Sequence, residues 1–210
     1  MTYSVKEIFL TLQGEGMQAG RRAVFLRFSG CNLWSGREED RETARCRFCD
    51  TDFVGTDGVG GGKFRTAGQL ADAVAATWGS LRERRLVVIT GGEPTLQLDG
   101  ALIDALHARG FRVAVETNGT IEAPSGLDWL CISPKAGTDV VQRRGNELKL
   151  VWPQDGIDLA ELESWDFEHF LVQPMDCVDR EAALESAIRL AMDRPKWRVA
   201  LQAHKVIGLP

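Results

Sequence analysis

Short runs that are apolar along nearly their whole length constrain the fold most: residues 23–28 (AVFLRF), 86–90 (LVVIT) and 111–116 (FRVAVE) lack the in–out alternation of a half-solvated sheet. Strands of that kind are buried on both faces, and the segments between them carry helical periodicity. Thr66 caps a helix in which Leu70, Ala73, Val74, Thr77 and Trp78 recur at three-and-four spacing. A second helix is expected near 96–109, stopped by Gly110. A third, about 180–192, places Leu184, Ile188 and Ala191 on its buried side and stops before Pro195. Further strands are expected at 5–10, 129–132, 148–152, 170–172 and 198–201. The alternation predicts an α/β fold over 1–210 in one domain with a parallel sheet. A complete eight-fold barrel takes about 250 residues, so 210 residues fit an incomplete parallel βα barrel or an open sheet.

Composition narrows the partners. With 44% hydrophobic and 26% charged residues the chain is an ordinary globular one rather than a disordered one. Its 25 Lys and Arg against 30 Asp and Glu leave a net charge of −5, so no basic field holds a polyanion and nucleic acid is not an expected partner. No run approaches the roughly 18 apolar residues of a membrane span, and the opening MTYSVKEIFLTLQGEG lacks the pattern of a secretory signal. The expected setting is the cytoplasm, where thiols stay reduced.

Five cysteines then become informative. Three lie in the long polar stretch 29–63: Cys46 and Cys49 form a Cys-Arg-Phe-Cys pair, and Cys31 precedes them by the 14 residues 32–45. Loops of that length in a compact domain are usually functional. Four thiolates would close a zinc or iron–sulfur site, whereas three leave a coordination position open for an exogenous ligand. A structural zinc completed by a histidine is the alternative, and His107, His169 and His204 all lie outside the loop. Cys131 and Cys177 are expected to be small buried residues. The glycine run 58–62 lacks the Gly-Lys-Ser/Thr ending of a nucleotide loop and is expected to be a flexible linker.

The strand at 86–90 runs into Gly91-Gly92-Glu93-Pro94, at the strand ends where α/β folds place ligands. Alone this is a turn whose proline starts a helix. Together with the three-cysteine loop it resembles the radical S-adenosylmethionine superfamily. The usual spacing there puts three residues between the first two cysteines, and this chain departs from it. A 14-residue gap ending in Cys-x-Phe-Cys-Asp-Thr, a preceding Phe-Leu-Arg-Phe-Ser-Gly-Cys-Asn and an early Leu-Gln-Gly-Glu-Gly are similar to the 7-carboxy-7-deazaguanine synthase family. So are Glu-Thr-Asn-Gly at 116–119, Ser-Pro-Lys at 133–135 and the ending Leu-Gln-Ala-His-Lys-Val-Ile-Gly-Leu-Pro at 201–210.

The resemblance implies an incomplete βα barrel with its cluster-binding loop at 29–63. It also implies ring contraction of 6-carboxy-5,6,7,8-tetrahydropterin to 7-carboxy-7-deazaguanine with loss of ammonia, started by a 5′-deoxyadenosyl radical. Cys31, Cys46 and Cys49 would ligate a [4Fe–4S] cluster. Phe48, Cys49, Asp50, Gly92, Ser133, Pro134, Lys135, Gln173, Pro174, Met175 and Asp176 would hold S-adenosylmethionine. Leu12, Gln13, Gly14, Glu15, Arg27, Thr90, Glu116, His204 and the terminal carboxylate of Pro210 would meet the pterin, and Thr51 a magnesium ion. Arg27 draws notice on its own, because it interrupts an otherwise apolar strand. A reductase such as flavodoxin and a homodimer are implied too. A radical activase acting on a partner protein, and a non-catalytic zinc or electron-transfer module, remain as alternatives.

Overall fold

The computed structural model describes residues 2–209. Its centre is a nine-stranded sheet. The first strand, β1 (Tyr3–Leu12), pairs antiparallel with β2 (Arg22–Phe28) and with the short β3 (Gly62–Phe64). Parallel pairing then runs from β2 through β4 (Leu86–Gly91), β5 (Arg112–Thr117), β6 (Trp129–Ile132), β7 (Arg144–Trp152) and β8 (Asp166–Pro174) to β9 (Trp197–Val199). The order is β3-β1-β2-β4-β5-β6-β7-β8-β9, so β3 and β9 are free edges and the sheet is open. The parallel core and the incomplete barrel match the sequence-based expectation.

Successive side chains of a strand point to opposite faces, and here the two faces differ in chemistry. On one, Val24, Leu26, Phe28, Val87, Ile89, Val113 and Val115 form a core with α1 (Ala67–Trp78) and α2 (Gly100–His107) through Leu70, Val74, Trp78, Leu102 and Leu106. Leu148, Leu150, Phe170 and Val172 do the same with the short α3 (Leu159–Glu163) through Leu162 and with α4 (Arg180–Asp193) through Ala187 and Leu190. Each fully buried side chain of this kind stabilises the fold by about 1.5–3 kcal/mol. The other face begins with Ala23, Leu86, Val88 and Ala114. Continuing along the same strands in steps of two, it reaches Arg27, Thr90 and Glu116, which Lys149 of β7 joins in a polar row at the open end.

Besides the glycine run, four local expectations need correction. The second helix does not begin near 96: a 3-10 turn (Pro94–Leu96) comes first, and Asp99 caps α2 by accepting from the Leu102 N–H at 3.0 Å. The last strand ends at Val199 rather than 201. Helix α4 buries Ala183, Ala187 and Leu190, while Leu184 and Ile188 are exposed. Small alanines let the helix axis approach the sheet, and the bulkier row turns outward. Cys177 is half-buried rather than in the core, whereas Cys131 is buried as expected.

The glycine run is no linker. The Gly58 N–H donates to Lys6 O (3.0 Å) and the Ile8 N–H to Val59 O (2.7 Å), and Gly62 then opens β3 against β1. A Cβ at Gly61 would lie 2.2 Å from Lys6 O and 2.8 Å from Thr56 O, so only glycine lets these backbones touch. Gly61→Ala is expected to destabilise the protein by about 1–3 kcal/mol, read as a fall of roughly 2–12 °C in Tm; an unchanged Tm would show that the strap is loose.

Candidate active site

At the open end of the sheet a cavity of about 340 Å³ gathers most of the residues singled out from sequence. Leu12, Gln13, Gly14, Glu15, Arg27, Thr90, Glu116 and His204 line it, as do Phe48, Cys49, Asp50, Thr51, Gly92, Ser133, Lys135, Gln173, Pro174, Met175 and Asp176. Pro134 stands apart on a neighbouring cavity of about 200 Å³. Cys31 lies behind Gly92, and Pro210 is outside the described residues.

The Gly91-Gly92-Glu93-Pro94 segment is fixed by close backbone contact. Cβ atoms at Gly91 and Gly92 would lie 2.3 Å from Phe28 O and 2.2 Å from Gly30 O, and the latter only 2.7 Å from Cys31 Cβ. The Glu93 N–H donates to Gly30 O at 2.9 Å. The carboxylate of Glu93 is fully buried and accepts from Thr95 N–H (2.9 Å), Thr95 Oγ1 (2.6 Å), Thr117 Oγ1 (2.6 Å) and Asn118 N–H (2.8 Å). Asn118 Nδ2 in turn donates to Asn32 Oδ1 at 3.0 Å, beside Cys31. The motif therefore clamps the end of β5 to the start of the cysteine loop.

Within that loop the Cys46 thiol hydrogen-bonds Cys49, which pushes Cys46 up and brings Cys49 down to about 6. Burial raises Cys31, against a hydrogen bond from the Leu33 N–H. Lys135 places its ammonium 5.6 Å from the Phe48 ring centre and donates to Ser133 Oγ at 2.7 Å. Burial lowers its pKa, with the field of Cys46 and Cys49 opposing. Arg41 stacks on Trp34 at 4.1 Å and donates to the carbonyls of Arg47 and Cys49, bracing the loop from outside.

The residues fit an iron–sulfur cluster and its cofactor. Three soft thiol ligands share one loop, and Gly92, whose missing Cβ lets its backbone pack directly on Gly30 and Cys31, lines the same cavity as Cys46 and Cys49. Among the described residues no three or more His, Cys, Asp or Glu are close enough to hold a single ion, whereas a four-iron cluster spreads its thiolates over separate irons. Gln173, also on the cavity lining, is buried with its Oε1 unpartnered, an acceptor available to a ligand donor.

Sequence reasoning missed the group that organises the other end. Lys149 of β7, its side chain 4% exposed, donates to Glu15 Oε2 (2.5 Å) and Glu116 Oε2 (2.7 Å). Gln13 Nε2 donates to Glu116 Oε1 (2.7 Å), and Gln202 Nε2 to Glu15 Oε1 (2.9 Å). Burial pushes Glu15 up, but the charge and hydrogen bond of Lys149 outweigh it and bring its carboxyl down to about 2. Lys149 interrupts LKLVW as Arg27 interrupts AVFLRF, so the signal was present. Arg27 itself is held through Nε by Glu7 (2.7 Å) and pairs in register with Thr90. The last helix, α5 (Ala203–Ile207), adds His204 and Lys205 to the cavity wall. The Ala203 N–H donates to Gly14 O (2.8 Å), and Lys205 bridges Asp50 (2.6 Å) and Asp176 (2.5 Å).

Residues 43–154 match the family described as the Radical SAM superfamily. A 7-carboxy-7-deazaguanine synthase of Caulobacter vibrioides is 63% identical over the full length of both chains, and one of Bordetella pertussis 60%. The chain belongs to the 7-carboxy-7-deazaguanine synthase family. The crystal structure of QueE from Escherichia coli agrees: it superposes with a TM-score of 0.74 at 27% identity, covering 97% of this chain and 95% of that one. Membership in the synthase family sets aside the protein activase and the zinc module. The superfamily match leaves most of the first cysteine gap outside its bounds.

Proposed function

We propose that the chain is a lyase that converts 6-carboxy-5,6,7,8-tetrahydropterin to 7-carboxy-7-deazaguanine and ammonia. The product is the substrate less ammonia, so the conversion consumes no net oxidant. The observation that carries the reading is the joining, in one cavity, of a three-cysteine loop and a wall of acceptors formed by Gln13, Glu15 and Glu116. When bound, the cluster and S-adenosylmethionine supply one-electron chemistry that removes a hydrogen atom from the substrate.

The protein's part is placement. Cys31, Cys46 and Cys49 would hold the cluster, and Phe48, Asp50, Gly92, Ser133, Lys135 and 173–176 the cofactor. Glu15 and Glu116 accept from the N–H groups of the pterin's pyrimidine edge, and the terminal nitrogens of Arg27 pair with its carboxylate. Thr90, the register partner of Arg27, lines the same cavity. With both ends of the ring anchored, one C–H bond would be held in a fixed orientation for the cofactor's chemistry, while His204 and Lys205 of α5 cover part of the cavity. Thr51 would contribute to a magnesium site completed by substrate oxygens and water. A cytoplasmic homodimer drawing electrons from a flavodoxin-like reductase completes the proposal. Among the described residues no helix is long and apolar enough to cross a membrane.

The test is anaerobic incubation of the reduced protein with S-adenosylmethionine, magnesium and the carboxypterin. Deazaguanine is expected to accumulate well beyond the cofactor consumed. Cofactor cleavage without that product would defeat the assignment.

A further inference from the structure

The cluster of Glu15, Glu116 and Lys149 does more than neutralise charge. Two carboxylates sharing a buried site repel, and the usual outcome is that one takes up a proton and becomes a donor. Here an ammonium stands between them, nearly inaccessible to solvent, with one carboxylate oxygen of each as its partner. Each of the four oxygens accepts one protein hydrogen bond, from Lys149, Gln202 or Gln13. A carboxylate offers about four lone-pair sites, so each oxygen keeps capacity for a ligand in the cavity that both residues line. Glu147, two residues earlier on the same face of β7, accepts from the Met17 N–H (3.0 Å) and steadies the loop that carries Gln13 and Glu15.

We infer that Lys149 is a positioning residue that sets ligand specificity. By keeping Glu15 and Glu116 as acceptors, it selects a ring edge bearing N–H donors over the same ring with oxygen in place of the 2-amino group. This rests on the pterin reading above and deepens it. A 2-oxo edge would turn its own oxygen toward an acceptor wall, leaving buried groups unpaired, which is the strongest form of discrimination a site can apply.

The experiment uses the cluster-loaded protein and two fluorescent probes, oxidised 6-carboxypterin and its 2-oxo counterpart. Dissociation constants are measured for wild type, Lys149→Met and Lys149→Arg, with iron content and S-adenosylmethionine affinity as controls. Lys149→Met is expected to weaken pterin binding about tenfold or more while the 2-oxo probe changes less than about threefold. Lys149→Arg, which keeps the charge, is expected to retain the preference. Equal weakening of both probes, or unchanged pterin binding at normal iron content, overturns the role. If the methionine variant does not fold, the arginine variant decides: loss of preference there overturns it as well. Turnover separates the two levels, since wild type that converts no carboxypterin brings down the pterin reading itself. Conversion with unaltered selectivity in the variants removes only the role of Lys149.

Discussion

Cys46→Ala is expected to leave the protein without bound iron and without deazaguanine product, while Cys131→Ala retains about four irons per chain. The contrast follows from where the two thiols stand. Cys46 shares a loop with Cys31 and Cys49 and hydrogen-bonds the latter beside the cavity. Cys131 is buried in β6, donating to Glu147 at 3.4 Å. Three ligands are the fewest that hold such a cluster with one iron left for a cofactor, so losing any of them removes the cluster rather than weakening it. Cys31→Ala and Cys49→Ala should therefore behave like Cys46→Ala. Iron analysis and visible absorption after anaerobic purification read the result, and equal iron in the Cys46 and Cys131 variants would show that the ligands are wrongly assigned. Cys131→Ala removes a buried sulfur, so a modest fall in Tm is expected there without loss of colour.

Much of the fold was legible because apolar runs report burial directly. The strand 129–132 was located at its observed bounds, and the Thr66 cap is present, accepting from the Gln69 N–H at 3.2 Å. What stayed hidden depends on tertiary distance. Helix α4 has two apolar rows, one of alanines and one of larger residues, and only the closeness of the sheet selects the alanines. The glycines of 58–62 read as looseness in sequence and as tight approach in space, since what they touch is the backbone of β1, some 50 residues earlier.

The site divides in the same way. Motifs contiguous in sequence, such as Gly91-Gly92-Glu93-Pro94 and Cys46 to Cys49, could be read from their residues. Lys149, Gln202 and Lys205 act across the cavity on residues far away in the chain, and a charged residue in a strand carries no label of its partner. Arg27 and Lys149 interrupt apolar strands equally. The general rule is that a charge inside an apolar strand needs a buried counterpart, and applied evenly it would have found both.

Glu93→Ala is expected to be the most destabilising single change in the site, by about 3 kcal/mol or more, and to lower Tm by roughly 6–12 °C. The side chain is fully buried and accepts four hydrogen bonds, from Thr95 twice, Thr117 and Asn118. Removing it strands the Thr117 hydroxyl and the Asn118 N–H in a place water does not reach, and a buried donor without a partner costs its full desolvation. The damage should spread to the cysteine loop, because Asn118 passes the contact on to Asn32, next to Cys31. Iron content is therefore expected to fall along with Tm, even though Glu93 itself is no ligand. Glu93→Gln separates the two causes, as the amide keeps an oxygen for some donors but presents N–H groups to the rest, so an intermediate Tm is expected. A Glu93→Ala protein with wild-type Tm and full iron would mean that the clamp between β4, β5 and the cysteine loop is dispensable.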